Sequence, residues 1–559
     1  MNIREQITEK LAAVLARLGV ESPKVSLDLT ADLSHGDYAT SVSLAYAKEF
    51  NMAPRALAEK IVEMMGSIDG VSKIDIAGPG FINLSVAPGL FWQSLESGRT
   101  EPDMWGGNAS LKGTEIMLEY TSPNLFKPLH IGNLVGNVIG ESISRLFEFS
   151  AATVHRINYP SDIGLTVAKG VWGLKKTGGD PDDIRALGDA YRTGNDAYEN
   201  DPAAKEEINA INKKLYEGTD AELNDLRERG TRTSRARLAE ICKTLGTSFD
   251  TEIFESEAGP VGKEIVLSHV ADGIFEVSDG ATVFKGESVG LHTRVFLNSA
   301  GLPTYEAKDI GNFELKTRTY PNFDRSYVVT GVEQQEYFKV IIAAIRAVFS
   351  GLDGKVLGHI ATGFLTLTTG KMSSRKGNVL TGEDLLADMR AAAEERAAES
   401  RADNMDVLSE QIAVAALKFQ ILRGGAGKNI VFDRERALSF EGDSGPYLQY
   451  THARTCAIIE KAQVVGIVSK FDTTATASDL VRITNRFADI VVRAQEELEP
   501  HLVATYLIQL AAAFNSWYAQ EQILDGTEKA AHKVAIVDIV RQTLKNGLWL
   551  LGIPAPEKM

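Results

Sequence analysis

The sequence predicts an α/β protein built on an open parallel sheet, with a helical insertion in the sheet's chain path, an α+β module before it and an all-helical bundle after it. Three observations predict this. Residues 115–158 read strand, helix, strand, and a crossover of that kind joins parallel strands with a right-handed path. The short β-branched run at 326–330 ends on Gly331, as a strand buried on both faces does. A chain of 559 residues also exceeds what one hydrophobic core organises, so several domains are expected.

In chain order, residues 1–88 form the α+β module. Residues 3–18 carry apolar side chains at helical spacing, and the turn-rich stretch 32–38 leads into a helical segment at 39–49. Pro54 opens a second helix to residue 65, and 74–86 alternates as strands do. Residues 89–112 read as a variable connection. The sheet domain spans 110–385, with a strand at 115–120, a loop at 121–129, a helix at 130–149 and a strand at 153–158. Ile131, Leu134, Val135, Val138, Ile139, Ile143 and Leu146 give that helix its apolar face. An acidic, glycine-containing helical insertion covers about 165–250. Strand-like segments return at 283–284 and 293–298, a helical connector covers 386–439, and 440–559 is the bundle.

Composition is that of an ordinary globular chain, 44% hydrophobic and 24% charged. No apolar run approaches the roughly 20 residues that span a bilayer, and the first ten residues lack an apolar signal core, so a cytoplasmic protein is expected. Cys242 and Cys456 are the only cysteines, too far apart for a zinc half-site and too few for a disulfide framework, so no protein-bound zinc is expected. The net charge of −16 argues against nonspecific nucleic-acid binding but is compatible with local basic strips on an acidic body.

Two segments carry chemistry. Pro128-Leu-His-Ile-Gly-Asn133 stands between a strand and a helix, where a parallel sheet binds ligands and a helix start offers free N–H groups to phosphate. His130 can donate to a phosphate there, and Gly132 lets a flat base approach the backbone. Gly132, Gly136 and Gly140 recur every four residues, which equally suits a helix lying close on its sheet, with His130 a mere cap. The chain has no GxGxxG, which disfavours a dinucleotide fold. Far downstream, Gly370-Lys-Met-Ser-Ser-Arg-Lys-Gly-Asn378 puts three cations and two hydroxyls in a glycine-bounded loop, suited to closing over a nucleotide and neutralising a departing pyrophosphate.

Together these segments resemble the two signatures of class I aminoacyl-tRNA synthetases, usually written HIGH and KMSKS. Asn133 replaces the second histidine, and Ser374 stands where the second lysine is usual, with Arg375 and Lys376 directly after it. The stretches 119–130, 303–309 and 330–338, the C-terminal run 444–456 and the ending 551–559 are similar to the arginyl-tRNA synthetase family, nearly end to end. The resemblance implies a Rossmann-like catalytic core, a tRNA-binding N-terminal module, an anticodon-binding helical domain, and Mg²⁺ as ATP's companion. tRNA(Arg), ATP and L-arginine are the implied partners, the enzyme is expected to be a monomer, and activation of arginine is expected to wait for bound tRNA.

Residue by residue, the resemblance places Asn124 and Gln334 on the α-amino and carboxylate groups of arginine, with Glu255 as a second side-chain carboxylate. Tyr305 and Asp309 lie four apart on one helical face, a carboxylate and an aromatic ring suited to a guanidinium fork. His130, Gly132, Asn133, Gly331, Lys371, Met372, Ser373 and Ser374 are expected around ATP, with His130, Lys371, Arg375 and Lys376 stabilising the reacting phosphates. Tyr447, Tyr450, His452 and Arg454 are expected to stack on unpaired tRNA bases. Two other readings remain open, a class I synthetase for another amino acid and a tRNA-binding protein that has lost activation. Replacing Lys371 by alanine is expected to slow adenylate formation, read by ATP–pyrophosphate exchange with tRNA present, and to leave arginine binding nearly intact. An equal loss of arginine affinity would contradict its assignment to the phosphates.

Overall fold

A five-stranded, wholly parallel sheet forms the centre of the computed structural model, which describes residues 3–368, 381–397 and 404–559. Its strands are β1 (Glu115–Glu119), β2 (Thr153–Asn158), β3 (Thr251–Glu252), β4 (Arg325–Gly331) and β5 (Val356–Thr362), in the order β5-β4-β1-β2-β3. The chain moves outward from β1 to β2 and β3, then returns to the other side of β1 as β4 and β5. Between β1 and β4 the strand order therefore reverses, and the crevice beyond their carboxyl ends is where such a sheet binds ligands.

Helix α1 (Ile131–Phe149) makes the β1–β2 crossover and is buried along almost its whole length. Its glycines explain how it lies so close. A Cβ on Gly136 would stand 3.8 Å from the carbonyl oxygen of Val329, and one on Gly140 only 2.4 Å from Cγ of Tyr120. The packing thus demands a glycine at 140, whereas a Cβ at 136 would make an ordinary van der Waals contact. Beside it, the buried Glu141 accepts from Tyr120 (2.7 Å), Arg145 Nε (2.7 Å) and Arg156 Nε (3.1 Å). Burial alone would raise its carboxyl, but the two guanidinium groups hold it below the usual carboxylate value. Arg145 also donates to the carbonyls of Trp549 and Gly246, which ties the chain's last turn to the sheet domain.

The insertion is a four-helix layer, α2 (Leu165–Thr177), α3 (Ile184–Asn200), α4 (Pro202–Glu217) and α5 (Ala221–Thr244), with its own apolar core around Val167, Val171, Leu187 and Ile208. Asp183, Asp201 and Asp220 cap three of these helices with their side chains. Helices α6 (Glu255–Ser268), α7 (Tyr305–Thr319) and α8 (Gln335–Val348) follow. Gly262 and Gly311 let α6 and α7 touch, since a Cβ on Gly262 would overlap the carbonyl of Ala307. Helices α9 (Gly382–Ala397) and α10 (Met405–Leu422) come next, and Lys418 of α10 sits fully buried, donating to the carbonyls of Leu245 (2.6 Å) and Gly552 (2.8 Å).

The chain separates into two compact units, and this sheet unit comprises Gly107–Ala453, Val491–Thr505 and Gly547–Met559. The other unit gathers Met1–Gly106, Arg454–Ile490 and Tyr506–Asn546. Within it a four-stranded antiparallel sheet carries the helices Ile3–Arg17 and Pro54–Met65. Tyr38 donates to Asp489 (2.6 Å), and Arg482 to Asp37 (2.9 Å), so the N-terminal module and these later helices share one core. Two expectations need correction here. Residues 39–49 are not one helical segment, because Tyr38–Thr40 pairs as a strand with residues 82–84 and only Val42–Tyr46 is helical. Residues 89–112 hold the helix Pro88–Thr100, where Phe91, Trp92 and Leu95 form a buried face that two glycines disguise.

The close approach at Gly140 has a measurable consequence. Alanine there gains roughly 1 kcal/mol of helix propensity, while pressing a Cβ into the fixed Tyr120 ring costs about 1–3 kcal/mol. Gly140→Ala is expected to lower the melting temperature, and a rise would show that the ring yields freely.

Candidate active site

The loop after β1 is wound tightly. Thr121, Ser122 and Phe126 all have positive φ (77°, 40° and 66°), a region that costs non-glycine residues about 1–3 kcal/mol each. The surrounding side chains hold it there. Asn133 Nδ2 donates to the Thr121 carbonyl (2.7 Å), Asn137 Nδ2 to Thr121 Oγ1 (2.9 Å), and Thr247 secures Asn137 in turn (3.0 Å). The Phe126 N–H reaches Ser234 of α5 (3.1 Å), so the insertion also supports the turn. Asn133 therefore has a part no histidine signature discloses, because its amide pins the strained turn that presents Asn124.

His130 is the N-cap of α1, and its Nδ1 accepts from the Gly132 N–H (3.1 Å). A ring nitrogen that accepts carries no proton, so the neutral ring keeps its hydrogen on Nε2, available to a phosphate oxygen. Burial, then Lys127, lowers its pKa and favours that neutral form, while Glu333 opposes them. His130 is exposed, as are Asn124, Gly132 and Gln334. Gln334 follows Gly331 at the carboxyl end of β4, and a Cβ on Gly331 would collide with the Glu333 carboxylate. Lys371, Met372, Ser373, Ser374, Arg375 and Lys376 lie outside the described residues. On their C-terminal side the chain returns to the site, where Thr381 pairs with His130 and the Gly382 N–H donates to the Leu129 carbonyl (2.8 Å).

Beneath the strand ends lies a cluster of carboxylates. Glu119 of β1 accepts from Lys316 (2.7 Å) and Asn312 (2.9 Å), both on α7. Glu255, the first residue of α6, is paired with Lys308 (2.5 Å), and both are buried. The Lys308 ammonium also stands over the rings of Tyr305 (5.2 Å) and Tyr216 (5.5 Å), the latter from α4 of the insertion. Asp309 differs. Among the described residues it has no cationic partner, and its one hydrogen bond comes from the Tyr337 hydroxyl to Oδ2 (2.5 Å). Burial pushes its carboxyl up to about 7, Tyr337 opposes the rise, and Glu119 adds to it. The buried Tyr159 hydroxyl, facing Asp309 and Glu255, has no hydrogen-bond partner among the described residues.

Tyr305 and Asp309 thus share a helix, as expected, with Tyr305 exposed and Asp309 half-buried. Glu255 reaches the same cluster but already holds a lysine. Lys308, Tyr337 and Glu119 were not singled out from the sequence, although each stands inside a quoted stretch, and Tyr216 had no signal at all. His452 requires correction. It is fully buried with Nδ1 2.9 Å from the Pro556 carbonyl, so it packs the chain's end and presents no face to a base. Tyr447 is half-buried and Tyr450 exposed, while Arg454 is bonded to Asn515 (2.5 Å) and stands over the Tyr518 ring (5.7 Å). Among the described residues, no three His, Cys, Asp or Glu side chains gather as a metal site, and no helix is long and apolar enough to cross a membrane.

Comparison with known proteins agrees with this geometry. Residues 103–434 match the model of the class I tRNA synthetase (R) catalytic domain, 448–559 that of the DALR anticodon binding domain, and 1–86 that of the arginyl tRNA synthetase N-terminal domain. An arginine–tRNA ligase of Streptococcus suis is 31% identical over 573 residues, covering all of both chains, and one of Clostridium acetobutylicum is 28% identical over 572 residues, again covering both. The Thermus thermophilus arginyl-tRNA synthetase structure superposes with a TM-score of 0.83 at 25% identity, each chain covered completely. With a catalytic-domain match over more than half its length and full-length relatives, the chain belongs to the arginyl-tRNA synthetases of class I.

Proposed function

We propose that this enzyme activates L-arginine with ATP and transfers it to the 3′ end of tRNA(Arg), and that Asp309 is the acceptor of the arginine guanidinium. The observation that carries the second part is that Asp309, unlike its two acidic neighbours, makes no ion pair among the described residues. Glu119 and Glu255 each hold a lysine, whereas Asp309, near the carboxyl end of the sheet, holds only a tyrosine hydroxyl among the described residues. Even a half-buried carboxylate without a cation is costly, and an incoming guanidinium removes that cost while satisfying its own planar fork. Tyr305 then lies along the substrate side chain, and the free oxygen of Glu255 is a second acceptor. Asn124 and Gln334 hold the α-amino and carboxylate groups at the ends of β1 and β4.

The reaction proceeds in two steps. A carboxylate oxygen of arginine attacks the α-phosphorus of ATP, supplied as its magnesium complex, and pyrophosphate leaves with the bridging oxygen. The terminal ribose hydroxyl of tRNA then attacks the acyl carbon, and AMP departs with the electron pair of the broken acyl–phosphate bond. Positioning and charge stabilisation suffice, with no covalent enzyme intermediate. His130 donates through Nε2, Gly132 and Gly331 admit the adenosine, Lys371, Arg375 and Lys376 supply positive charge to the phosphates, and Met372, Ser373 and Ser374 are further nucleotide-binding residues. Asn133 acts chiefly by holding the Thr121 turn. In the C-terminal helices, Tyr450 and Tyr447 are the nucleotide-facing aromatics, and Arg454 supplies a guanidinium plane.

Charging total tRNA in the presence of each amino acid singly is expected to proceed with arginine alone, and charging with another amino acid would overturn the assignment. Asp309 must be ionised to hold the guanidinium, so below about 7 binding has to expel a proton. The arginine KM at saturating tRNA and ATP is therefore expected to fall about tenfold between pH 6 and pH 8 and then level off. A flat profile would count against Asp309 as the acceptor. Asn133→Ala should lower kcat by one to two orders of magnitude as the strained turn relaxes, a loss of about 1–3 kcal/mol. Near-normal turnover would show that the turn holds without it.

A further inference from the structure

Tyr337 opens no expected motif role, yet it makes the only hydrogen bond that Asp309 receives among the described residues. It stands in the first turn of α8, while Asp309 is on α7, so the contact joins two helices that flank the carboxyl end of β4. Its ring is held from the other side by the Arg294 guanidinium, 5.0 Å from the centroid, and by Phe338 in edge contact at 5.1 Å. The phenol has little freedom to follow a moving partner.

We infer that Tyr337 is a positioning residue for arginine, committing Oδ2 of Asp309 to the protein and leaving Oδ1 to face the guanidinium. The inference rests on the reading of Asp309 as the guanidinium acceptor. Glu255 is arranged in the same manner, with Oε2 on Lys308 and Oε1 left over. Two carboxylates on two helices then each offer one free oxygen, a spaced pair of acceptors in place of a single bidentate fork. A donor on an anionic oxygen also favours the charged carboxylate. That support matters here, because Glu119 of β1 and Glu255 of α6 oppose ionisation of Asp309, Lys316 of its own helix favours it, and Tyr159 after β2 faces it as a neutral hydroxyl. Burial and the Asp309 charge keep the Tyr337 phenol protonated, so it remains a donor.

The test is the pH dependence of the arginine KM in aminoacylation by the full-length enzyme, with tRNA and ATP saturating, for the wild type, Tyr337→Phe and Asp309→Asn. Tyr337→Phe keeps the ring that Arg294 and Phe338 enclose and removes only the hydroxyl. Its arginine KM is expected to rise roughly tenfold at pH 7, with the ATP KM unchanged and the pH midpoint displaced upward by about one unit. The deficit should therefore shrink toward pH 9. A KM raised equally at every pH, or unaltered at all of them, overturns the positioning role. Asp309→Asn separates this from the underlying reading, since it should lose arginine at all pH values without a pH step. If Asp309→Asn binds arginine normally, the acceptor assignment itself fails. If it loses arginine while Tyr337→Phe behaves as wild type, only the role of Tyr337 fails.

Discussion

Burying carboxylate under the carboxyl ends of a parallel sheet is the constraint from which the rest of this site follows. An unpaired charge buried there costs several kcal/mol, and the molecule brings the buried Glu119 and Glu255 close to the half-buried Asp309. Two are relieved from within, by Lys316 with Asn312 and by Lys308. All three of those donors lie on α7, the helix that also carries Asp309. The same helix thus neutralises its neighbours and exposes its own unmet charge to the crevice. Placing the cations elsewhere on α7 would leave the pocket either silent, with Asp309 satisfied, or unstable, with Glu119 bare.

That arrangement needs α7 close to α6 and both close to the sheet, and the contact is made through glycine. Gly262 and Gly311 face each other where any Cβ would strike backbone. On the other side of β1 the same holds at Gly140, which admits the Tyr120 ring where a Cβ would strike it. Close packing at these points fixes where the strands end, and hence where the Thr121–Leu125 turn begins. The turn then tolerates positive φ at Thr121 and Ser122 because Asn133 and Asn137 supply hydrogen bonds that offset part of the strain.

Much of this was legible in the sequence, and the reason it was differs from place to place. The β1–α1–β2 unit could be read because its apolar positions follow regular periods over long stretches. The Tyr305–Asp309 pair could be read because four-residue spacing on a helix fixes a shared face. Strand β5 and the two-residue β3 passed unnoticed. A strand that short carries no pattern, and β5 is broken by Gly358 and His359. Helix Pro88–Thr100 was hidden by its glycines. In the site, Lys308 and Tyr337 stood in plain view beside the residues that were chosen, but which way a side chain points, and whether a neighbouring acid is already paired, depends on contacts between α6, α7 and α8 that no linear spacing encodes. His452 shows the converse error, for polar and aromatic residues near a presumed binding face suggest exposure, whereas this one is spent on the Pro556 carbonyl.

The same geometry bears on how the proposed pocket would separate arginine from other amino acids. A pocket that recognises by apolar contact separates close analogues by only about 1–3 kcal/mol, but one built on buried polar groups penalises any ligand that leaves them unmatched far more heavily. A substrate lacking a cation leaves Asp309 unpaired in a neighbourhood already crowded with acids. A lysine ammonium, shorter and without the planar fork, can meet one carboxylate oxygen but not two on separate helices, and it must compete with Lys308 for Glu255. On the proposed reading of Asp309 and Glu255 as acceptors, the resident lysine takes part in the discrimination, leaving Oε1 of Glu255 to the guanidinium while Oε2 stays occupied. Tyr216 places the insertion at this point as well, its ring against Lys308, so the helices inserted between β2 and β3 help to set how that lysine, and through it Glu255, is held.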